Sequence, residues 1–247
     1  MDLRRVPQDL HALADALDRL LGISPDTGER THIVVRREAP IARLGLALEP
    51  WPGMEGWIRA ERLDAVLLHR PWRLPIDALP SDLGVLASHA PFDEHLGLGW
   101  NLRLAEQLEL TAIQPLGGVN GAVGMLGTLA PVRWRELLAR IEAVFGGVED
   151  CLAVPRDPGL VVTRMAVARA MTGDLVGEAA RAGAGAYVTG QLRSPARPAV
   201  LATGISAIAV GHARAERWSL TLLGDMLAAE WPDLRLDLAP EGTSQTR

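Results

Sequence analysis

Residues 205–216 of the 247-residue chain have the sequence Ile-Ser-Ala-Ile-Ala-Val-Gly-His-Ala-Arg-Ala-Glu, an apolar run, a glycine and a polar segment. The run of six is typical of a buried strand, and residues 213–230 are predicted to be a helix from their apolar spacing. His212 and Glu216 are four residues apart and therefore share one face of that helix. An imidazole and a carboxylate just past a buried strand are half of a divalent metal site.

The same order of strand and helix recurs along the chain. Alternating strands and helices predict an α/β fold with mixed, largely parallel sheets. Residues from 237 onward are predicted to be a frayed tail. The predicted strands are 33–35, 44–48, 64–68, 85–88, 161–168, 186–189 and 205–210, and the predicted helices are 6–21, 54–63, 101–110, 132–144, 174–182, 198–202 and 213–230.

A glycine-rich passage at 117–127 is the best candidate for a boundary between two similar α/β units. Its glycine spacing is not that of a dinucleotide-binding loop. The first unit would be 1–127, and the second would be 128–247. We expect the last strand and helix of the second unit to return to a metal site that both units share.

The composition limits the class of protein. Hydrophobic residues make up 48% and charged residues 22%, values that are ordinary for a globular protein. The net charge of −5 argues against general affinity for nucleic acid or anionic membranes. All 25 basic residues are Arg, which excludes chemistry that needs a lysine. The single Cys151 and an N-terminus without an apolar segment predict a cytoplasmic protein without a signal peptide.

Three histidines, His69, His89 and His212, directly follow predicted strands, where ligands gather in α/β sheets. Asp93 and Glu216 each lie four residues further on. Imidazole and carboxylate suit Zn, Mn, Fe, Co or Ni, and two ions about 3.5–4 Å apart would be possible. Each residue also has a structural alternative: a hydrogen-bonded histidine, a helix cap at Asp93, or a solvated Glu216 paired with a neighbouring arginine.

Five segments, in this order, resemble the motifs of the NIF-three-like proteins, also called GTP cyclohydrolase I type 2 homologues. They are Leu-Leu-His-Arg-Pro at 67–71, Ser-His-Ala-Pro-Phe-Asp at 88–93, Gly-Met-Leu-Gly-Thr-Leu at 124–129, Tyr-Val-Thr-Gly-Gln at 187–191, and Gly-His with a later Glu at 211–216. The order and spacing agree from about residue 60 to 230.

The resemblance implies a NIF-three-like fold of two α/β units around a dinuclear metal centre, assembled as a toroidal homohexamer whose metals face an internal cavity. It places His69, Asp93, His212 and Glu216 on ligand positions, with the two carboxylates as bridging candidates. His89 falls beside the site, where it would contact a ligand or water or relay protons.

The chain departs from the family pattern at the second histidine of its His-His-Pro motif, which is Arg70 here. A permanent cation cannot ligate and opposes a nearby dication, so one of the two ions would be weakened, lost, or held by water or His95. Alternatively, Arg70 and Arg169 bind an anionic substrate group such as phosphate. The glutamate that follows Thr-Gly in the family is Gln191 here.

Three functions follow as hypotheses. The first is a metal-dependent hydrolase in which metal-bound water attacks a small-molecule substrate, a nucleotide or heterocyclic amide. The second is a non-catalytic metal-binding or regulatory ring that serves as a scaffold, which the lost ligand favours. The third is an α/β protein without a metal.

Overall fold

The computed structural model describes residues 6–23, 29–117, 122–154 and 159–242, and these form two compact units. The first unit comprises Met1–Phe92 with Ser219–Arg247, and the second comprises Asp93–Trp218. The predicted boundary at residue 127 falls inside a strand of the second unit, so the two divisions do not coincide. Among the described residues, no helix combines the length and apolar character that a membrane span requires.

The first unit contains a five-stranded sheet in the order β1-β4-β3-β2-β11. All neighbouring strands are parallel except β1, which is antiparallel to β4. Strands β2, β3 and β4 are mostly buried apolar residues, as expected for the centre of a parallel sheet. The elements of this unit are α1 (Leu10–Leu20), β1 (His32–Val35), β2 (Arg43–Ala47), α2 (Met54–Glu61), β3 (Ala65–Leu68), a 3₁₀ turn (Ile76–Ala78), β4 (Gly84–Ala87), the C-terminal part of α8, and β11 (Arg235–Leu238).

The second unit contains a six-stranded mixed sheet in the order β5-β6-β8-β9-β10-β7. Alternate residues of β8 enter two different core clusters: Met165 and Val167 one, Ala166 and Ala168 the other. Since successive side chains of a strand point to opposite faces, the sheet is covered on both sides. The elements are α3 (Ala90–His95, which starts in the first unit), α4 (Leu102–Gln107), β5 (Thr111–Leu116), β6 (Gly124–Arg133), α5 (Trp134–Phe145), β7 (Asp150–Leu152), β8 (Val161–Ala168), α6 (Gly173–Arg181), β9 (Ala186–Thr189), a second 3₁₀ turn (Ser194–Ala196), α7 (Arg197–Thr203), β10 (Ser206–Ala209) and the start of α8 (His212–Glu230).

The α/β prediction with mixed sheets is confirmed, and two strands, 161–168 and 186–189, have the predicted bounds. The frayed tail predicted from residue 237 is wrong, because Arg235–Leu238 forms β11 and pairs in parallel with β2. Strands β5, β6 and β7 were not predicted. Part of the glycine-rich passage is the start of β6; its residues 118–121 lie outside the described residues.

Tyr187 of β9 is fully buried, and its hydroxyl donates a 2.7 Å hydrogen bond to the carbonyl oxygen of Ala170. Burial, assisted by the carboxylate of Glu178, raises the pKa of Tyr187 well above its usual range. The neutral phenol is therefore favoured in the folded state. Because the unfolded chain would ionise at about pH 10, this contribution to stability is complete below that pH and is lost as pH rises above it.

We therefore expect the free energy of unfolding to fall above about pH 10, by at most about 1.4 kcal/mol per pH unit from this group. Tyr187 is the only tyrosine, so tyrosinate absorbance reports it alone. The absorbance should rise together with the loss of folded structure, measured by circular dichroism in the same titration. Tyr187→Phe should lack this component of the pH dependence. A tyrosinate signal near pH 10 in protein that is still folded would contradict the expectation.

Candidate metal centre

His69 lies directly after β3, in the middle of the first sheet. It is buried, with 1% of its surface exposed, and its backbone N–H donates to the carbonyl oxygen of Ala47 at 3.0 Å. The parallel register of β3 and β4 pairs Leu68 with Ala87. The residues after these two strands are therefore neighbours, and His69 Nδ1 lies 3.2 Å from the carbonyl oxygen of Ser88.

The contact with Ser88 decides the tautomer of His69. A carbonyl oxygen only accepts, so Nδ1 carries the proton and Nε2 carries the lone pair in the neutral ring. Histidines that bind metals commonly donate their other ring N–H to a carbonyl or carboxylate in this way. His69 is thus oriented as an Nε2 ligand by the backbone of the neighbouring strand.

His89 and Asp93 come to His69 from the segment after β4. His89 immediately precedes α3, and Asp93 lies one turn further along it. The rings of His69 and His89 are stacked, with centroids 4.9 Å apart and planes at 24°, and Phe92 packs against His69 at 4.5 Å. His69, His89 and Asp93 each offer one ligand atom, and these atoms all lie within 4.8 Å of one another. We call these three residues the metal triad.

The donors of the metal triad fit a divalent cation of the borderline class. Imidazole nitrogen and carboxylate oxygen bind such ions at about 2.0–2.2 Å, and a set of three protein ligands leaves positions for water or substrate. His69 is buried and His89 and Asp93 are half-buried, so the triad is partly shielded from solvent. A possible metal-binding cluster is therefore present where the strand-end histidines predicted one.

His212 and Glu216 form a second pair in the second unit, on the first turns of α8. His212 Nε2 lies 3.0 Å from Glu216 Oε1; the histidine side chain is 57% exposed and the glutamate side chain 6% exposed. The partner of Glu216 in this contact is His212. A Cβ on Gly190 would lie 3.8 Å from His212 Nδ1, so the strand end after β9 lies beside this histidine.

The predicted ligand set is thus found as two groups. His69 and Asp93 lie in the metal triad together with His89, for which the sequence suggested a supporting role. His212 and Glu216 contact each other within the second unit. That all four predicted ligands share a metal stays a prediction, as does the proton-relay role of His89.

Arg70 is 4% exposed, and its Nε lies 3.7 Å from Glu49 Oε2, a side chain that is itself largely buried. Its guanidinium carbon also lies 5.8 Å from the ring centroid of Trp72. Arg169 is exposed after β8, and its backbone N–H donates to Val123. The roles predicted for Arg70 and Arg169 in substrate binding stay predictions.

Trp72 was not among the residues predicted for the site; it is 60% exposed, and its ring centroid lies 5.4 Å from that of His89. The signal available was its position, two residues after Arg70 in the His-Arg-Pro segment. The role of the Ser88 carbonyl was also not predicted, because every residue has a backbone carbonyl and the residue type does not reveal which one contacts a histidine.

Fold and site together define a two-unit α/β protein with a histidine–carboxylate cluster at the ends of parallel strands. The sequence model of the family described as Duf34/NIF3 (NGG1p interacting factor 3) matches residues 68–244, and the chain belongs to this family.

Known proteins agree with this assignment. A "GTP cyclohydrolase 1 type 2 homolog" of Pseudomonas aeruginosa is 32% identical over 151 residues, 60% of this chain and 58% of that protein. The matches to the first three curated relatives span only 58% to 62% of their lengths. In fold, the chain is similar to a solved "protein ybgI, unknown function" (TM-score 0.72, 22% identity, 96% of this chain and 100% of that one). It is also similar to a Bacillus cereus protein related to NIF3 (TM-score 0.71, 13% identity, 98% and 99%).

Proposed function

We propose that this protein binds a divalent metal through the metal triad and is a metal-dependent hydrolase of a nucleotide or a heterocyclic amide. The observation that carries the proposal is the gathering of His69, His89 and Asp93 ligand atoms within 4.8 Å of one another. The name of the relatives, GTP cyclohydrolase 1 type 2 homolog, supports this class of substrate. In the proposed reaction, water rather than a protein side chain is the nucleophile.

A divalent ion supplies a Lewis acid that lowers the pKa of water and polarises an amide or phosphoryl oxygen. The chain supplies the geometry. Ser88 holds the proton on Nδ1 of His69 and so leaves the lone pair on Nε2, and the stacked rings of His69 and His89 restrict each other's rotation. The carboxylate of Asp93 offsets the positive charge of the cation.

We further propose that His212 and Glu216 would add ligands from the second unit, and that Asp93 and Glu216 would be the carboxylates that hold both ions if two are bound. His212 Nε2 and Glu216 Oε1 are 3.0 Å apart. Two neighbouring ligand atoms of one ion have a similar separation when each metal–ligand bond is about 2.0–2.2 Å long. The family resemblance also supports a homohexamer, and the cytoplasm remains the proposed compartment.

A second function, a non-catalytic metal-binding scaffold, is favoured by Arg70. This permanent cation is buried next in sequence to His69, with Glu49 as its 3.7 Å ion-pair neighbour. Its charge opposes a second dication nearby. The two functions differ in turnover: a screen of nucleotides and cyclic amides with the metal restored should give turnover that Asp93→Asn abolishes. No turnover at full metal occupancy favours the scaffold.

For His212→Ala, we expect the metal content of protein purified without added ions to fall sharply, from two ions per chain to one or fewer. The ring is 57% exposed, but its removal also takes away the 3.0 Å partner of the buried Glu216 carboxylate, so thermal unfolding is measured alongside to confirm that the variant is folded. Elemental analysis of the purified proteins measures the change. His11→Ala, an exposed helix position, is the control. Metal content that is unchanged in His212→Ala would remove this residue from the proposed site.

A further inference from the structure

Trp72 is the most exposed of the large hydrophobic residues in the described part of the chain, at 60%. It lies in the segment that follows β3 and His69, between Pro71 and the 3₁₀ turn Ile76–Ala78. Leaving an indole in water forgoes the burial energy of a large apolar surface. A ligand that covered this exposed ring, beside a candidate metal site, would therefore gain that burial energy.

The indole is connected to the metal triad through rings. Its centroid lies 5.4 Å from that of His89, with planes at 54°, and His89 stacks on His69 at 4.9 Å. These are separations at which aromatic side chains interact favourably. A ligand that stacks on Trp72 would therefore lie next to His89, a member of the metal triad.

Charged and backbone groups hold the indole in place although it is exposed. The guanidinium carbon of Arg70 lies 5.8 Å from the ring centroid, within the range of a cation–π contact, and Arg70 Nε lies 3.7 Å from Glu49 Oε2. The N–H of Leu74 donates to Pro71 at 3.2 Å and closes the turn that carries Trp72. Binding on this ring would therefore cost little conformational entropy.

The turn is also strained. Arg73, the residue after Trp72, has φ of +61°, a left-handed conformation that costs a long side chain energy. Strain of this kind concentrates at sites that position a side chain for binding. The chain thus tolerates an unfavourable backbone at the residue that follows the exposed indole.

We propose that Trp72 is a stacking platform for a planar heteroaromatic ring, of the purine class, in the ligand that approaches the metal triad. This inference rests on the proposed function for the place of the reacting group, and it adds how the ring of the substrate is recognised. An indole presents the strongest π surface among side chains, and stacking of a base on such a ring tolerates different bases. Discrimination between rings would then come from polar groups other than Trp72.

The test is the binding of guanosine, with ribose as the non-aromatic control, to the full chain by titration calorimetry, with and without added Mn²⁺. Trp72→Ala should weaken guanosine binding about tenfold, and Trp72→Phe should keep it within about threefold. Ile76→Ala is the matched control, because it removes another exposed apolar side chain, 52% exposed, from the same segment. It should leave the affinity unchanged.

Metal content and native mass are measured for each variant, which separates the outcomes. The platform is overturned if Trp72→Ala binds guanosine as tightly as the wild type does, or if the wild type does not bind guanosine. A normal metal content in the same proteins then leaves the proposed metal site unaffected. Conversely, guanosine binding that depends on Trp72 in protein without metal affinity supports the platform and removes the proposed function. A change in native mass without a change in affinity would mean that Trp72 contacts another protein chain, and would overturn the inference.

Discussion

His69→Ala is expected to lower the affinity for the first divalent ion by more than about 100-fold. Loss of groups that merely orient a metal ligand costs about 10–100-fold, and His69 is itself a candidate ligand whose Nε2 is oriented by the Ser88 carbonyl. The measurement is a competition titration with a chelator of known affinity. The affinity tests the site directly and independently of any reaction.

Because His69 is buried, its replacement by alanine also leaves a cavity, so a second variant is needed. Asp93→Asn keeps the size of a half-buried side chain and removes its charge. It should lower the affinity for the ion by a similar factor without loss of folded structure. His32→Ala, at an exposed position of β1, is the histidine control. If His69→Ala and Asp93→Asn both fold and bind the ion as the wild type does, the metal triad is not the site.

Gly124→Ala is expected to destabilise the second unit by about 3 kcal/mol. Gly124 opens β6, which pairs with β8, and a Cβ there would collide with the backbone oxygen of Val167 and approach the Cβ of Ala168 to 2.6 Å. Both obstacles belong to the main chain or to a short side chain in the middle of the sheet. Neither can rotate away, so the two strands would have to separate.

Chemical denaturation followed by circular dichroism measures this loss. Gly173→Ala is the matched control in the same unit, because a Cβ there would meet only Ala199 at 3.7 Å, an ordinary contact. It starts α6 and should change the stability by less than about 1 kcal/mol. A Gly124→Ala variant as stable as the control would show that β6 and β8 can move apart at little cost.

Much of the fold could be predicted because its central strands are continuous apolar runs. Strand β8 and strand β9 have the predicted bounds, and β10 and α8 are within one residue of theirs. Strands β5, β6 and β7 could not be predicted in the same way, whereas the edge strand β1 was predicted; the glycines at the start of β6 favoured a turn over a strand. Strand β5 is largely exposed and β7 has only three residues, so neither shows a buried apolar pattern.

The residue types of the site could be predicted from the sequence, but not which of those residues lie together. A histidine after a buried strand signals a functional edge, and His69 and His89 meet because β3 and β4 are adjacent and parallel. Sequence does not state which strands are neighbours. It therefore could not show that His89 joins His69 and Asp93, nor that Arg70 lies against Glu49, whose place was set by long-range packing.

The division of the chain also bears on how the protein is made. The second unit is one continuous segment, Asp93–Trp218, whereas the first unit is completed only when β11 pairs with β2, Arg235 beside Arg43. During translation the second unit can fold before β11 has been synthesised, and until then β2 stays unpaired on one side. A nascent chain stalled before residue 235 would carry that open strand, a site for chaperones and for aggregation.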